Sequence, residues 1–174
     1  GTANHDETTK DFADKTYDRA FVMELPDTHT PFKVEETAQH NPFSFWWIEQ
    51  CFSESIKKHK KDTDRALQFL KVNFKSMLKE RFNVTWQNRF ELHAHKYIPV
   101  VCASGGDWGE ALDHLFATKI LRKIRHRHDI DPDHLRELLE TINECASDTP
   151  NKKPMRQSQA LVKGELHRMG EIIM

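Results

Sequence analysis

The chain has 174 residues, of which 37% are hydrophobic and 30% are charged, and its 26 basic residues nearly balance its 27 acidic ones. This length suits one domain with or without a tail. The near-zero net charge gives no general sign of nucleic-acid binding, and no apolar run is long enough for a membrane span. We expect a cytoplasmic protein with reduced thiols, because there is no signal-peptide pattern and Cys51, Cys102 and Cys145 form no CxxC pair.

The first 25 residues combine a polar segment with a short apolar run. Gly1-Thr2-Ala3-Asn4 predicts a turn, Asp18-Arg19 ends the polar segment, and residues 20–25 predict a short strand. The amide of Asn4 can donate and accept hydrogen bonds, which suits holding a water molecule. The guanidinium of Arg19 suits binding phosphate oxygens. The ordinary alternatives are that Asn4 caps a turn and that Arg19 forms a surface ion pair.

Residues 26–40 predict a linker, because prolines at positions 26 and 31 are incompatible with a helix there. A first helix is predicted from Pro42 to Lys58, with Asn41 as its N-cap. Its apolar residues fall on one helical stripe, which we expect to belong to the core: Phe45, Ile48, Phe52 and Ile56. Trp46 and Trp47 flank this stripe, and we expect one of them to face a neighbour.

The rest of the chain predicts further amphipathic helices separated by clear stop and start signals. Asp107 and Glu110 form a capping-box pattern, Asp131-Pro132 forms an N-cap and first turn, and Pro99 predicts a kink or break. We expect residues 147–154 to be a mobile linker. The predicted helices run from about Asp62 to Arg81, Trp86 to Ala103, Trp108 to Arg127 and Pro132 to Cys145. A last helix is predicted within residues 155–174. We expect it to pack back on the other helices or to dock on a partner.

Two stretches resemble the last part of a P-loop AAA+ ATPase in the McrB-like restriction-motor branch. In residues 1–25 the resemblance lies in the Gly-Thr-x-Asn turn, the Asp-Arg pair and the strand that follows. In residues 86–128 it lies in Ala111-Leu112-Asp113, followed by Lys119-Ile120-Leu121-Arg122-Lys123, which is similar to a lid helix of that family. The remaining residues, above all 32–82, hardly resemble it.

The resemblance implies a mainly α-helical fold, namely a helical-bundle lid domain preceded by a remnant of the α/β core. Residues 1–25 would be that remnant, 26–40 a linker, 41–146 the lid, and 147–174 a linker with a C-terminal helix. Asn4 would be the sensor-1 residue and Arg19 a finger acting on the neighbouring subunit's nucleotide. The lid's nucleotide contact would be Arg89, Lys119 or Arg122, although a plain surface role for Arg89 fits its sequence position equally well.

The family also implies partners and cofactors. The parent protein would be a homo-oligomeric ring that uses ATP or GTP with Mg²⁺ and works on DNA or another macromolecule, in a restriction or defence system, with a nuclease or another partner subunit. The chain itself contains no G-x-x-x-x-G-K-[ST] phosphate loop and no strand that ends in paired acids. We therefore expect the chain alone to bind no nucleotide cofactor and to hydrolyse none. The rival hypothesis is a stand-alone helical interaction module.

Two other groups of residues, the histidines and the basic residues from 122 to 128, are weaker candidates for a functional site. No two of the eleven histidines are four residues apart, and the close pairs His93/His95 and His126/His128 are only two apart, so that helical geometry separates them. With no CxxC pair, we expect no metal site. The basic residues from 122 to 128 are the best candidate for a DNA contact, but positive charge is favourable at a helix C-terminus without DNA.

Overall fold

A computed structural model describes residues 19–20 and 42–170 of the chain. The fold is mainly helical, as predicted, and the described residues contain no strand. The strand expected over residues 20–25 and the linker expected over residues 26–40 lie outside the described residues, except for Ala20. The α-helices are α1 (Phe45–Lys58), α2 (Lys60–Phe82), α3 (Asn88–Ala103), α4 (Trp108–Leu115), α5 (Pro132–Glu144) and α6 (Arg156–Arg168).

Short irregular helices extend two of these elements. A π-helical turn, Phe116–Ile120, and a 3-10 turn, Leu121–Ile124, continue the course of α4. Two more 3-10 turns, Cys145–Asp148 and Pro150–Lys152, lead from α5 towards α6. The predicted single helix from Trp108 to Arg127 is therefore one regular helix followed by wider and then tighter turns.

The predicted start signals of α4 and α5 are confirmed. The Asp107 side chain accepts a hydrogen bond from the Glu110 amide at 3.0 Å, and the Glu110 carboxylate accepts one from the Asp107 amide at 3.3 Å. Asp131 caps α5 by accepting from the Asp133 amide at 2.9 Å. Each cap supplies an acceptor to amides that have no partner within the helix.

One predicted boundary is wrong, and of the two effects expected of Pro99, a kink or a break, the break is absent. α1 begins at Phe45 rather than Pro42, because Ser44 is its N-cap and accepts a hydrogen bond from the Trp47 amide at 3.1 Å. α3 runs through Pro99 to Ala103 without a break. Pro99 and its neighbour Ile98 are both buried, and their packing offsets the one backbone hydrogen bond that proline removes.

The core lies between α2, α3, α5, α6 and the α4 segment with its π-helical continuation. The rings of Phe74 in α2 and Phe116 in the π turn are completely buried, with their centroids 4.7 Å apart. Other fully buried side chains come from every one of these elements: Leu70, Leu78, Ile98, Leu112, Leu115, Ile120, Leu135, Ile142 and Val162. This arrangement brings residues from distant parts of the sequence into one hydrophobic cluster.

The expectation that the apolar stripe of α1 belongs to the core is wrong. α1 packs against α3, but it has no buried residue. Phe45 is 77% exposed and Trp46 is 66% exposed, and Phe52 and Ile56 are exposed as well. Amphipathic spacing shows that a helix has an apolar face, but it does not show that another element of the same chain covers that face.

Residues 147–154, expected to be a mobile linker, are held by specific contacts. The Thr149 hydroxyl oxygen lies 2.8 Å from the carbonyl oxygen of Ala146 and 2.7 Å from that of Lys153, so the hydroxyl can donate a hydrogen bond to either one. Lys153 forms ion pairs with Asp107 at 3.0 Å and Glu110 at 2.8 Å. This segment therefore fastens the start of α4 to the chain that leads into α6. The last helix was expected either to pack on the other helices or to dock on a partner. In the structure, α6 packs on α4 and α5.

The three cysteines are free thiols, and Cys145 is buried while Cys51 and Cys102 are half-buried. Burial raises the pKa of the Cys145 thiol. Burial, with a smaller effect from the nearby carboxylates of Asp62 and Asp107, raises the pKa of the Cys102 thiol to about 11. Within the described ranges, no helix is both long enough and apolar enough to cross a membrane.

The carboxylate of Asp113, near the end of α4, holds the start of α6. It is only 6% exposed, and it accepts hydrogen bonds from the amides of Gln157 and Ser158, each at 2.9 Å, and from the Ser158 hydroxyl at 2.5 Å. α6 has no N-cap side chain of its own. A residue 44 positions away therefore provides the negative charge that favours a helix N-terminus.

We predict that Asp113→Ala lowers the free energy of unfolding by about 3 kcal/mol, because the substitution leaves one buried amide, one part-buried amide and a buried hydroxyl without their acceptor. Asp131→Ala is the matched control, since it removes an exposed local N-cap and should cost about 1 kcal/mol. Urea unfolding followed by circular dichroism measures both. Equal losses in the two variants would show that the bridge between α4 and α6 adds nothing beyond ordinary capping.

Candidate functional site: an arginine-lined cleft

A cleft of about 820 Å³ lies between α6 and the stretch that runs from α4 to residue 126. Its walls combine small apolar residues with long basic and polar ones. One wall comes from the end of α4 and the turns after it, and the other comes from α6. The lining residues are Tyr97, His114, Ala117, Thr118, Arg122, Arg125, His126, Gln157, Ala160, Leu161, Gly164, Glu165 and Arg168.

The cleft is strongly basic. Among the described residues that line it, three are arginines, Arg122, Arg125 and Arg168, and one is an acid, Glu165. Arg122 lies in the 3-10 turn and Arg125 follows that turn directly, whereas Arg168 ends α6. Guanidinium groups keep their charge at all physiological pH values and match the geometry of phosphate and carboxylate oxygens. The cleft therefore suits an anionic ligand.

The single acid of this lining is already neutralised within the protein. Glu165 is 5% exposed, and one of its oxygens accepts from Arg168 Nε at 2.9 Å and from the His126 amide at 3.1 Å. Arg168 also donates to the Arg127 carbonyl at 2.9 Å. Glu165 therefore fixes the two walls to each other, and Arg122 and Arg125 are the other two arginines of the lining.

The turn that carries Arg125 and His126 is anchored by Arg127. Its guanidinium donates to the Phe82 carbonyl, at the end of α2, at 2.6 Å and to both carboxylate oxygens of Asp129 at 2.9 Å and 2.5 Å. The hydrogen bond from Arg127 lowers the pKa of Asp129. His126 has a positive φ of 58°, a strained backbone conformation for this residue, and the contacts on either side of it keep it there.

The cleft lining also contains polar side chains that are not arginines, among them Tyr97, His114 and Gln157. Burial raises the pKa of the Tyr97 phenol above its usual value, so its hydroxyl keeps its proton at neutral pH. The Tyr97 and His114 rings lie with centroids 5.5 Å apart. His114 Nδ1 is 3.1 Å from the Gln157 side-chain oxygen, a hydrogen bond in which the imidazole donates. These groups add hydrogen-bonding side chains to the lining of the cleft.

Of the predicted site residues that the structure describes, Arg122 alone lines the cleft. Asn4 lies outside the described residues. Arg19 is exposed, and Arg89 is exposed in the first turn of α3 and does not line the cleft. Arg122 does line it. Lys119 is 7% exposed, and its ammonium donates to the carbonyl of Ala20.

The contact of Lys119 links two parts of the predicted site. Ala20 directly follows Arg19, so the structure places the residue after the predicted finger against one of the predicted lid residues. Lys119 and Arg122 belong to consecutive turns, but Lys119 serves an internal hydrogen bond and Arg122 lines the cleft. The two rival lid candidates therefore occupy different environments.

The sequence analysis missed most of the cleft. Arg125 and His126 were noted only as part of a basic cluster, and Arg168, Glu165 and Gly164 were not singled out. The basic run from 122 to 128 was a signal for the first wall. For the second wall no local signal exists, because it depends on the packing of α6 against α4 through Asp113.

Comparisons of this chain with protein-family models, with curated proteins and with solved structures find no match. The functional inference therefore rests on the cleft and its chemistry.

We predict that Tyr97 ionises above the pH at which an exposed tyrosine does, because burial disfavours the phenolate. The sign follows from linkage: the unfolded chain loses this proton first as the pH rises, so the contribution of Tyr97 to stability is complete below its unfolded pKa and is lost as the pH rises through its folded pKa. Ultraviolet difference titration of the wild type and of Tyr97→Phe measures this. A late-ionising tyrosine that persists in Tyr97→Phe would contradict the assignment.

Proposed function

We propose that the helical unit is the lid of an AAA+ nucleoside triphosphatase and that its nucleotide contact is the arginine-lined cleft. The observation that carries this proposal is the presence of three guanidinium groups against a single, internally paired carboxylate in a cleft of about 820 Å³. A volume of this order is typical of small-molecule sites, which range from about 300 to 1,000 Å³. Phosphate oxygens are the ligands that converging arginines bind best.

The proposed roles follow from position. Arg122 and Arg125 contact phosphate oxygens, and Arg168, held by Glu165, adds positive charge from the other wall. Of the lid candidates, Arg122 is favoured over Arg89, which does not line the cleft, and over Lys119, which is buried against Ala20. Because both walls belong to one packed unit, a bound phosphate would set the position of the whole lid. This is how a nucleotide state becomes a domain movement.

The remaining parts of the proposal rest on the resemblance of residues 1–25 and 86–128 to this family. Asn4 orients the attacking water, and Arg19 stabilises the transferring phosphoryl group in a neighbouring subunit. The parent protein is then a homo-oligomeric ring that uses ATP or GTP with Mg²⁺ and acts on DNA or another macromolecule in a restriction or defence system.

A second candidate function is favoured by a different observation. α1 presents a largely exposed aromatic surface, made by Phe43, Phe45, Trp46, Trp47 and Phe52. Large apolar patches on a protein surface commonly mark interaction sites. On this hypothesis the chain is a helical protein-interaction module without nucleotide chemistry, and the cleft plays no part in its function.

The first test of the lid proposal is the binding of inorganic triphosphate to the chain, followed by nuclear magnetic resonance. We expect chemical-shift changes at the arginine side chains and the backbone of residues 122–126, with a dissociation constant on the order of 1 mM, since other family parts that hold the nucleotide are missing. Binding should weaken as salt is added, because the attraction is electrostatic. Arg122→Ala combined with Arg125→Ala should remove these changes.

Gly164 supplies a matched pair of variants for this test. It lines the cleft, and a Cβ placed on it meets no atom within 4 Å. Gly164→Glu should abolish triphosphate binding by adding a carboxylate to the cleft, whereas Gly164→Ala should bind like the wild type. Equal binding by the two Gly164 variants would reject the cleft as the phosphate site and leave the interaction module as the better hypothesis.

We also predict that the chain alone hydrolyses neither ATP nor GTP, because it contains no phosphate loop and no acids placed to hold Mg²⁺. A malachite-green assay of phosphate release measures this, with the Arg122→Ala, Arg125→Ala double variant as the control for a contaminating enzyme. Hydrolysis by the wild type that persists through repurification and disappears in the double variant would contradict the prediction.

A further inference from the structure

A second group of chemically reactive side chains lies where α1, α2 and α3 meet, and it shares no residue with the arginine-lined cleft. His59 is the residue between α1 and α2, Asp62 lies in the first turn of α2, and Cys102 lies in the last turn of α3. One ligand atom from each of the three lies within 4.8 Å of the other two, and all three residues are half-buried.

The backbone around His59 is fixed by the two helices that it joins. Its amide donates to the Ser55 carbonyl at 2.9 Å, which closes α1. Its carbonyl accepts from the amide and the hydroxyl of Thr63, both at 3.2 Å, and Thr63 is completely buried. Hydrogen bonds to both helices therefore hold the backbone that carries the imidazole.

Cys102 is held just as firmly by the end of α3. The amide of Ser104 bonds to the carbonyls of Val100 and Val101, and the amide of Gly106 bonds back to Val101 at 3.0 Å. The turn is tight, since a Cβ on Gly106 would lie 2.7 Å from a methyl carbon of Val101. The positions of the thiol and of the imidazole are thus set by two separate pieces of rigid backbone.

The hydrogen bonding of His59 is incomplete. Its Nδ1 is 2.9 Å from an Asp62 oxygen, which makes Nδ1–H the donor and leaves the lone pair on Nε2. That Nε2 is buried and has no hydrogen-bond partner in the described part of the chain. A buried polar atom without a partner is costly, and a histidine whose other nitrogen bonds a carboxylate is the usual arrangement of a histidine that binds a metal.

We propose that Nε2 of His59 and the thiolate of Cys102 bind a zinc-class divalent cation, while Asp62 orients the imidazole through Nδ1, and that the ion ties the junction of α1 and α2 to the C-terminal end of α3. An imidazole nitrogen and a thiolate sulfur are ligand types that Zn²⁺ takes in proteins, and a four-coordinate ion keeps two further positions for water or other groups. The sulfur and nitrogen ligands disfavour Mg²⁺ and Ca²⁺. A thiolate and a carboxylate carry two negative charges, which the ion balances.

The placement of α1 gives this site a structural task. α1 contributes no buried residue to the core, yet it packs along α3. A bond between the residue that ends α1 and a residue near the end of α3 is therefore a stronger constraint on α1 than its apolar contacts. Metal binding stabilises the state that holds the preformed ligands.

The test uses the whole chain, freed of metal with a chelator under reducing conditions and then titrated with Co²⁺ and Zn²⁺. We expect one Co²⁺ per chain, with a thiolate-to-cobalt charge-transfer band that Zn²⁺ abolishes by displacement. Zn²⁺ should also raise the melting temperature. Cys102→Ser should remove the band and weaken Zn²⁺ binding by more than about 100-fold, and Asp62→Asn should weaken it by about 10- to 100-fold.

Cys51→Ser is the matched control, because Cys51 is also a half-buried free thiol but does not belong to the cluster. It should keep the band and the affinity of the wild type. Binding by Cys102→Ser as tight as that by Cys51→Ser would overturn the proposal. If Cys102→Ser does not fold, X-ray absorption of the zinc-loaded wild type decides: one sulfur at about 2.3 Å is expected, and a shell of nitrogen and oxygen alone would overturn the site.

Discussion

The arrangement of the functional surface depends on the buried carboxylate of Asp113. From its position on α4, this carboxylate accepts hydrogen bonds from two amides at the start of α6. An acidic side chain is favourable at this end of a helix. α6 carries Gly164, Glu165 and Arg168, which make one wall of the cleft. The bridge from Asp113 thus adds a polar contact to the apolar packing of α6, and it joins the start of this wall to α4.

The cleft also depends on the irregular turns that follow α4. A π-helical turn carries an extra residue and redirects the side chains that follow it, and such turns are frequent at functional sites. Here the π turn buries Lys119 and the next turn presents Arg122 to the cleft. A buried ammonium needs acceptors, and the Ala20 carbonyl is one of them. The hydrogen bond to Ala20 therefore offsets part of the cost of burying this charge.

The sequence was sufficient to predict the features that depend on local chemistry. The helical class, the capping box at Asp107 and the proline start of α5 all follow from residues within one or two turns of each other. The start of α1 was misplaced because Ser44 competes successfully with Asn41 as the cap. Residues 147–154 were taken for a mobile linker because their composition is polar, whereas their order depends on ion pairs from Lys153 to residues more than 40 positions away.

The candidate sites were largely beyond local prediction. Arg122 was found through a resemblance, but Arg168 joins it only after α6 has packed. The cluster of His59, Asp62 and Cys102 was not predicted because it contains neither two histidines four residues apart nor a CxxC pair. His59 and Asp62 are three apart at a helix start, and the thiol comes from a helix that ends 40 residues later. A ligand set shared between helices has no fixed spacing in sequence.

Net charge gives little information about either site. The chain as a whole carries a formal charge of −1, which gave no general sign of nucleic-acid binding. Electrostatic recognition, however, is governed by charges within about one Debye length, roughly 8 to 10 Å at physiological ionic strength. Within such a distance the cleft gathers guanidinium groups around one neutralised acid, while the junction of α1, α2 and α3 gathers a carboxylate and a thiol. The formal charge of the whole chain is a sum over both groups of side chains, so it describes neither group by itself.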